Sequence, residues 1–240
     1  MKRQKIRNAT LLISFLLFPI TIFYFSPFLI LVGASMGLIT GSFITFTALF
    51  VISLFFGRAY CGWACPTGGL QEYCSSINDN KPSEKYNKVK YFLWVPWMAL
   101  IALIFLISGG FKGIDPLFAT QNGISISEPV LFSIYYGIIG LVLIVAFAGG
   151  KRASCHYICW MAPFMVIGTK IKNLIGLPSL NLIADGDKCA SCKSCTKNCT
   201  MGLDVGEMVK KGNMENSECI LCGICIDSCK KEAIEYSFRK

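Results

Sequence analysis

The sequence is poor in charged residues and almost free of histidine. Asp, Glu, Lys and Arg make up 15% of its 240 residues and apolar residues 54%, and the mean hydropathy is +0.55. A soluble domain carries about 25% charged residues, so this scarcity excludes an ordinary soluble globule as well as a disordered chain. Because His156 is the single histidine, a haem held by two histidines of this chain is also excluded.

Several motifs are absent as well. The sequence has no C-x-x-C-H segment for c-type haem, and no flavin or nucleotide motif such as G-x-G-x-x-G or G-x-x-x-x-G-K-[ST]. The net charge of +9 does not indicate a nucleic-acid partner, because residues 1–180 carry the whole excess between apolar segments. Residues 181–240 contain nine basic and nine acidic residues and are neutral.

Four apolar segments without Asp, Glu, Lys or Arg approach the roughly 20 helical residues needed to span a membrane. They cover residues 9–28, 40–56, 91–107 and 130–148. Thirteen of the fourteen basic residues in 1–180 fall on one side of these spans. The positive-inside rule therefore predicts a multi-pass protein of the cytoplasmic (inner) membrane with both termini in the cytoplasm. The alternative is a cleaved signal peptide over about the first 25 residues, but no clear A-x-A site follows it.

A change of composition near residue 180 predicts two domains. Residues 1–180 are expected to form an α-helical domain of four transmembrane helices surrounded by membrane lipid. Its last apolar stretch, 162–177, is too short and too charged to span comfortably, so we expect it at the interface or packed under the bundle. Residues 181–240 are polar and rich in cysteine, and they are expected to form a small separate domain.

Eight of the thirteen cysteines lie in two runs with the spacing C-x2-C-x2-C-x3-C. This spacing is typical of bacterial 2[4Fe–4S] ferredoxins, in which the fourth cysteine of each run binds the other cluster. The predicted ligands are Cys189, Cys192, Cys195 and Cys229 for the first [4Fe–4S] cluster, and Cys219, Cys222, Cys225 and Cys199 for the second. Zinc sites and disulfides are the alternatives, but zinc sites favour separated C-x2-C pairs and the cytoplasm disfavours disulfides.

Four of the remaining cysteines form two C-x3-C pairs, Cys61 with Cys65 and Cys155 with Cys159, each just after a predicted span that enters the cytoplasm. Both pairs lie in segments of the pattern R-A-x-C-x-aromatic-x-C, which favours a working site over ordinary core cysteines. We expect the pairs to converge at the membrane edge as ligands of a third iron–sulfur cluster. The rival hypothesis is a redox-active dithiol. Cys74 stands alone and is expected to be a core residue.

The segment F-F-G-R-A-Y-C-G-W-A-C-P at residues 55–66 resembles the C-x3-C-P motif of NapH/NosR-type polytopic membrane iron–sulfur proteins. The D-P-L-F segment at residues 115–118, the four spans, the second C-x3-C and the two-cluster C-terminal domain are also similar to that family. The resemblance implies electron transfer between the membrane quinone pool, or a redox partner, and cytoplasmic or membrane partners.

The leading functional hypothesis is a membrane-anchored protein that passes single electrons as a subunit of a larger redox complex, with no catalytic residue of its own. Its expected partners are membrane lipid and redox proteins, and quinone is a further candidate. An alternative is a quinol dehydrogenase, or a thiol or metal-ion reductase, working at the C-x3-C cysteines; Asp115 and His156 are then candidate quinone contacts. A third hypothesis is a redox sensor or maturation subunit.

Overall fold

In the computed structural model, which describes residues 2–239, the first 175 residues are almost entirely helical. The helices of this part are α1 (Lys2–Leu16), α2 (Phe18–Thr21), α3 (Pro27–Met36), α4 (Gly41–Phe56), α5 (Ala59–Trp63), α6 (Pro66–Cys74), α7 (Val89–Ile107), α8 (Leu131–Gly149), α9 (Ala153–Tyr157) and α10 (Met161–Ile175). Two 3-10 turns, Ile22–Phe25 and Glu84–Lys88, precede α3 and α7. The predicted membrane protein of mostly helical architecture is therefore confirmed in this general form.

The described residues contain two helices long and apolar enough to cross a membrane, Glu84–Ile107 and Leu131–Gly149. A third span results if Lys2–Leu16 and Phe18–Phe25, which are bent by 58°, are counted as one. The two unbroken spans are only 11% and 17% buried by the protein itself, so their apolar side chains are free to contact lipid. Helices α3 and α4 are apolar but shorter.

Proline interrupts the first predicted span, 9–28. Pro19 lies at the start of α2 and Pro27 is the first residue of α3. In the first turn of a helix the missing N–H of proline costs no intrahelical hydrogen bond. The chain breaks at both places, and the side chain of Ser26 caps α3 by accepting a hydrogen bond from the Leu29 amide. The sequence therefore gives a bent helix pair and a separate short helix in place of one straight span.

Helix α10 occupies the stretch that was expected at the interface, and it packs along α4. Gly168 allows the close approach of the two helices, since a Cβ there would overlap the Ser53 hydroxyl oxygen. Deeper along the same contact, Phe164 meets Phe46 edge to face with ring centroids 5.3 Å apart. At its other end, Lys172 donates to the Leu180 carbonyl. Helix α10 thus connects the bundle to the C-terminal segment.

On the opposite side of the bundle, strand β1 (Leu38–Thr40) pairs in parallel with β2 (Gly113–Asp115). The D-P-L-F segment continues from β2 as a turn, in which Asp115 accepts a hydrogen bond from the Leu117 amide at 3.1 Å. Gly41 lets this turn approach α4, because a Cβ there would clash with the Pro116 carbonyl oxygen at 2.2 Å. This pairing joins the connection before α4 to the connection after α7 at that end of the bundle.

The C-terminal segment, residues 181–239, is called the tail below. Strands β3 (Ser179–Ala184) and β4 (Ile234–Arg239) pair antiparallel and close it into one unit, with Ser179 opposite Arg239. Three short helices lie between them, α11 (Ser194–Lys197), α12 (Val205–Lys210) and α13 (Ile224–Asp227). Its small core contains cysteines as well as aliphatic side chains, namely Leu182, Cys195, Val205, Val209, Met214, Leu221, Cys225 and Ile234. A core this small needs additional cross-links for stability.

Candidate iron–sulfur sites

The first predicted ligand set of the tail lines one cavity of about 270 Å³, which contains Cys189, Cys192, Cys195 and Cys229. The loop before α11 curls around it because Ser191 and Lys193 both adopt left-handed backbone angles. Cys229 reaches the cavity from the end of α13 and accepts a hydrogen bond from the Ala233 amide at 3.4 Å. The fourth cysteine of the second run therefore lies with the first three of the first run.

The second predicted set, Cys199, Cys219, Cys222 and Cys225, lines a separate and narrower cavity of about 20 Å³. Here Leu221 and Gly223 supply the left-handed turns of the loop. Burial raises the pKa of the Cys219 thiol to about 12. A thiol in this apolar setting stays protonated unless a metal binds it, since a coordinating thiol loses its proton. Both donor sets therefore fit a metal cluster.

The two C-x3-C segments have the same backbone structure. Helices α5 and α9 are each five residues long, and each ends in two amides that share one carbonyl oxygen. In the first segment the Ala64 and Cys65 amides donate to the Tyr60 carbonyl, and in the second the Ile158 and Cys159 amides donate to the Ser154 carbonyl. The second cysteine of each pair therefore lies in a turn past the helix end, not on the same helical face as the first. Pro66 explains this for Cys65, whose ψ is 119°.

The structure brings the four cysteines of these pairs together. Cys61, Cys65 and Cys155 are at most 4% exposed, and Cys159 is half-buried. Cys159 interacts electrostatically with the other three thiols, and burial together with these neighbours raises its pKa. Burial likewise raises the pKa of Cys65 to about 12. Cys74 is buried elsewhere on α6, as expected for a core residue.

Two buried arginines accompany this four-cysteine site. Arg58 and Arg152, each the first residue of its repeated segment, have fully buried side chains. Arg152 donates to the Cys61 carbonyl oxygen at 2.6 Å, and Arg58 interacts electrostatically with three of the four thiols. Within residues 2–239, Nε and Nη2 of Arg58 and Nε of Arg152 are buried without a hydrogen-bond partner. Unpaired cationic donors beside four sulfurs fit an anionic group held by those cysteines.

Two acidic residues neutralise these arginines in part. Glu72 of α6 pairs with Arg152 at 2.5 Å and with Arg7 at 2.7 Å. Glu218 of the tail pairs with Arg58 at 2.5 Å and with Lys90 at 2.6 Å. Burial alone would raise the pKa of Glu218, but the adjacent positive charges outweigh it and lower the pKa to about 2.

The tail packs directly on the four-cysteine site. Cys61 and Cys65 share one apolar core with Ile220 and Cys222 of the tail. Gly62 permits this approach, because a Cβ there would lie 2.3 Å from the Ile220 carbonyl oxygen. The indole Nε1 of the neighbouring Trp63 donates to the Leu221 carbonyl at 3.0 Å. The second ligand set of the tail is therefore adjacent to the four-cysteine site, whereas the first set faces outward and its Cys192 is exposed.

Sequence patterns did not indicate several residues of this site. Gln71 is buried, donates to the Cys155 sulfur at 3.3 Å and accepts from the Ser154 amide at 3.0 Å. Glu218 immediately precedes Cys219, and this adjacency was the only available signal for it. His156, a candidate quinone contact, instead engages both ring nitrogens, one with Asn87 and one with the Met201 carbonyl of the tail.

Within the described part of the chain, no three His, Cys, Asp or Glu side chains lie close enough together to hold a single metal ion. Asp115, the other candidate quinone contact, lies in the β1–β2 pairing on the opposite side of the bundle from the cysteines.

Comparison with known proteins agrees with these sites. A family described as "4Fe-4S binding domain" matches residues 38–82 and 130–178, each of which contains one C-x3-C pair. A second family, "4Fe-4S dicluster domain", matches residues 188–234 of the tail. The chain is thus similar to iron–sulfur proteins along both its helical part and its tail.

Its relatives include "Uncharacterized protein MJ0750" of Methanocaldococcus jannaschii, which is 27% identical over 78% of this chain and 75% of its own length. The "Ferredoxin-type protein NapH" of Haemophilus influenzae is 24% identical over 79% of this chain and 67% of its own length. "Protein NirI" of Paracoccus denitrificans is 23% identical over 76% of this chain, but only 26% of that relative is covered. No solved structure matches. The predicted resemblance to NapH-type membrane electron-transport proteins is therefore confirmed.

Proposed function

We propose that this chain is a membrane-anchored relay that passes single electrons between a partner protein at the tail and an acceptor or donor at the membrane edge. The observation that carries the proposal is the shared core of Cys61, Cys65 and Cys222, which puts the second tail site against the four-cysteine site. Electron transfer needs redox centres that lie close to each other, and this packing would put the centres held by the two sites side by side. In this scheme the chain is a subunit of a larger redox complex.

The arrangement in the membrane is part of the proposal. We take residues 1–180 as a domain of four spans with both termini in the cytoplasm, and residues 181–240 as the ferredoxin domain. The bent α1–α2 pair then counts as the first span and α4 as the second. Helix α4, with 16 residues, is about 24 Å long and thus shorter than a hydrocarbon core of about 30 Å. The packing of α10 on its cytoplasmic half supports such a short span, because it covers that half with protein.

Each cysteine set has a role in this relay. Cys189, Cys192, Cys195 and Cys229 would hold the outer [4Fe–4S] cluster, and Cys199, Cys219, Cys222 and Cys225 the inner one. Cys61, Cys65, Cys155 and Cys159 would hold a third cluster at the membrane edge. When bound, such clusters supply reversible one-electron chemistry. The protein contributes the rest: apolar packing excludes water, and Arg58 and Arg152 balance negative charge on the buried sulfurs.

Iron and acid-labile sulfide content per chain, measured on anaerobically purified protein, tests this assignment. Three cubanes predict about twelve irons and two predict about eight. Cys61→Ser or Cys155→Ser should reduce the content by about four irons, while the tail keeps its spectroscopic signals. Cys74→Ser is the matched control, because that cysteine is also buried but lies outside the site. A wild-type value of eight that neither Cys61→Ser nor Cys155→Ser changes would reject the third cluster and favour the dithiol.

A second candidate function, quinol oxidation at the membrane edge, is favoured by two tryptophans. The indole Nε1 atoms of Trp94 and Trp97 are buried without a hydrogen-bond partner among the described residues. Trp97 packs against Trp160, the residue after Cys159, with ring centroids 5.4 Å apart. A quinone carbonyl oxygen would satisfy such a donor. Reconstituted protein with an added acceptor should then oxidise quinol, and Trp97→Phe should raise KM more than it lowers kcat. If the protein turns over no quinol, the second candidate function is rejected and the electron relay stands without it.

A further inference from the structure

The outer cysteine set opens to solvent through a surface rich in lysine. Its cavity is lined by Lys193, Lys210, Lys230 and Lys231, which are all exposed, and Cys192 is exposed between them. Residues 181–240 as a whole are neutral. The four lysines are therefore a local cluster of positive charge at the opening of the outer cysteine cavity. We call these four lysines the lysine collar.

Two acidic side chains, Asp204 and Glu207, line the same cavity as the collar lysines, and both are engaged within the tail. Asp204 caps α12 by accepting from the Glu207 amide, and it also accepts from the Thr196 hydroxyl. Glu207 pairs with Lys211, which is outside the collar, at 3.6 Å. Within residues 2–239, none of the collar lysines forms an ion pair with Asp or Glu. The cavity lining therefore carries four lysines against two carboxylates, and it presents this excess positive charge to an incoming molecule.

The opposite end of the tail packs against the bundle. The inner cysteine set is covered by the bundle, since Cys222 and Ile220 are buried in the common core and the nearby Asp227 is bound by Arg3 and Gln4 of α1. A soluble protein therefore meets the most exposed cysteine of the tail, Cys192, on the collar side.

We propose that the lysine collar docks a small, acidic, soluble electron-carrier protein whose redox group is surrounded by carboxylates. This inference rests on the proposed function, because it requires a cluster in the outer set. One electron passes between the reduced carrier and the outer cluster, so that one centre is oxidised and the other reduced. No bond forms or breaks and no proton moves. Complementary charge steers such an encounter and raises association rates by about 10- to 1000-fold at low salt.

The test uses the full-length chain in lipid nanodiscs and two carriers as probes, an acidic flavodoxin and a basic cytochrome c. Binding is measured by biolayer interferometry, and electron transfer by stopped-flow absorbance. The flavodoxin should bind, and its association rate constant should fall at least about 10-fold between 20 mM and 500 mM salt, because the Debye length shrinks from about 20 Å to about 4 Å. The cytochrome should bind more weakly by a similar factor.

Charge-reversal variants assign the effect to the collar. Lys210→Glu combined with Lys231→Glu should reduce flavodoxin binding at least about 10-fold, whereas the arginine replacements at both positions should retain it. Lys85→Glu combined with Lys88→Glu is the matched control, since these lysines are exposed in the 3-10 turn before α7 and the net charge changes equally. Iron content is measured for every variant, to show that the clusters remain.

The outcomes separate this inference from the function on which it rests. Equal binding of both carriers, no binding of either carrier, or equal losses in the collar and control variants would each overturn the collar. Normal flavodoxin binding to a chain without iron would support the docking surface and reject the relay. Full iron content with selective loss of binding in the collar variant supports both.

Discussion

Glu218→Gln is the sharpest test of how the tail is held on the bundle. The carboxylate of Glu218 is 12% exposed and contacts Arg58 Nη1 at 2.5 Å and Lys90 Nζ at 2.6 Å, and both cationic side chains are 0% exposed. The amide of glutamine keeps the shape but carries no charge. Two buried cations then lose their common counter-charge, which leaves them without compensation in an apolar setting.

The expected cost follows from this geometry. Breaking a buried ion pair by removal of one partner costs about 3–5 kcal/mol. At about 1.4 kcal/mol per factor of ten, the docked state of the tail should be destabilised about 100- to 4000-fold relative to the undocked state. The amides of residues 220–222, which lie against Gly62 and Trp63, should therefore lose protection from hydrogen exchange.

Hydrogen exchange followed by mass spectrometry, on detergent-purified protein, measures this opening free energy. Glu235→Gln is the matched control, because Glu235 is exposed on β4 and the charge change is the same. A double-mutant cycle that combines Glu218→Gln with Lys90→Met should show an interaction free energy of about 0.5–3 kcal/mol, since the two residues are in direct contact. Equal protection in Glu218→Gln and the control would refute the idea that this ion pair holds the tail.

Three further variants test separate contacts. Gly62→Ala should weaken docking of the tail, because its Cβ would lie 2.3 Å from the Ile220 carbonyl oxygen; limited proteolysis of the tail should become faster. Gln71→Met should lower the reduction potential of the four-cysteine site in a redox titration, because it removes the hydrogen bond to the Cys155 sulfur. Burial raises the pKa of Glu72, but two arginines outweigh it and hold the pKa below 4.5. The stability that Glu72 contributes is therefore present above about pH 4.5 and is lost as the pH falls further. The Glu72→Gln variant should melt at a lower temperature than the unmodified protein at pH 7. On acidification its melting temperature should fall less than that of the unmodified protein.

Each of these variants has a control in the same chain. Gly140→Ala adds a Cβ that meets nothing within 4 Å, so proteolysis should not change. Gln121→Met alters an exposed loop on the far side of the bundle and should leave the potential unchanged. Glu84→Gln removes an exposed charge and should show the same pH dependence of melting as the unmodified protein. If a variant and its control behave alike, the corresponding contact does not have the assigned role.

The cysteine groupings predicted from local patterns in the tail match the cysteines that line its two cavities. The spacing C-x2-C-x2-C-x3-C constrains a short loop, and the left-handed residues Ser191 and Leu221 turn each loop around its cavity. The repeated R-A-x-C pattern likewise predicted two equivalent segments, and the backbone hydrogen bonds of α5 and α9 are in fact equivalent. Each C-x2-C-x2-C loop is determined by residues that are close together in the chain. The fourth cysteine of each group comes from the other run, and it was predicted by the two-cluster spacing rule.

Contacts between distant parts of the chain could not be predicted in this way. Arg58 and Glu218 are 160 positions apart, and Gln71 and Cys155 are 84 apart. Their pairing depends on how the tail and the two halves of the bundle pack, which no periodicity encodes. The break in the first predicted span was partly visible from Pro19 and Pro27. Hydropathy alone still favoured one continuous helix, because every residue across the break is apolar or uncharged.

The charges around the four-cysteine site favour an anionic cluster there over a pair of dithiols. Arg7, Arg152 and Glu72 form one group with a single excess positive charge, and Arg58, Lys90 and Glu218 form another. Four neutral thiols would leave both excess charges buried and unbalanced, which is costly in an apolar core. Four thiolates on an oxidised [4Fe–4S] core carry a net charge of minus two, because four negative ligands surround a dication. The two groups therefore supply the counter-charge that a cluster requires and that a dithiol site does not.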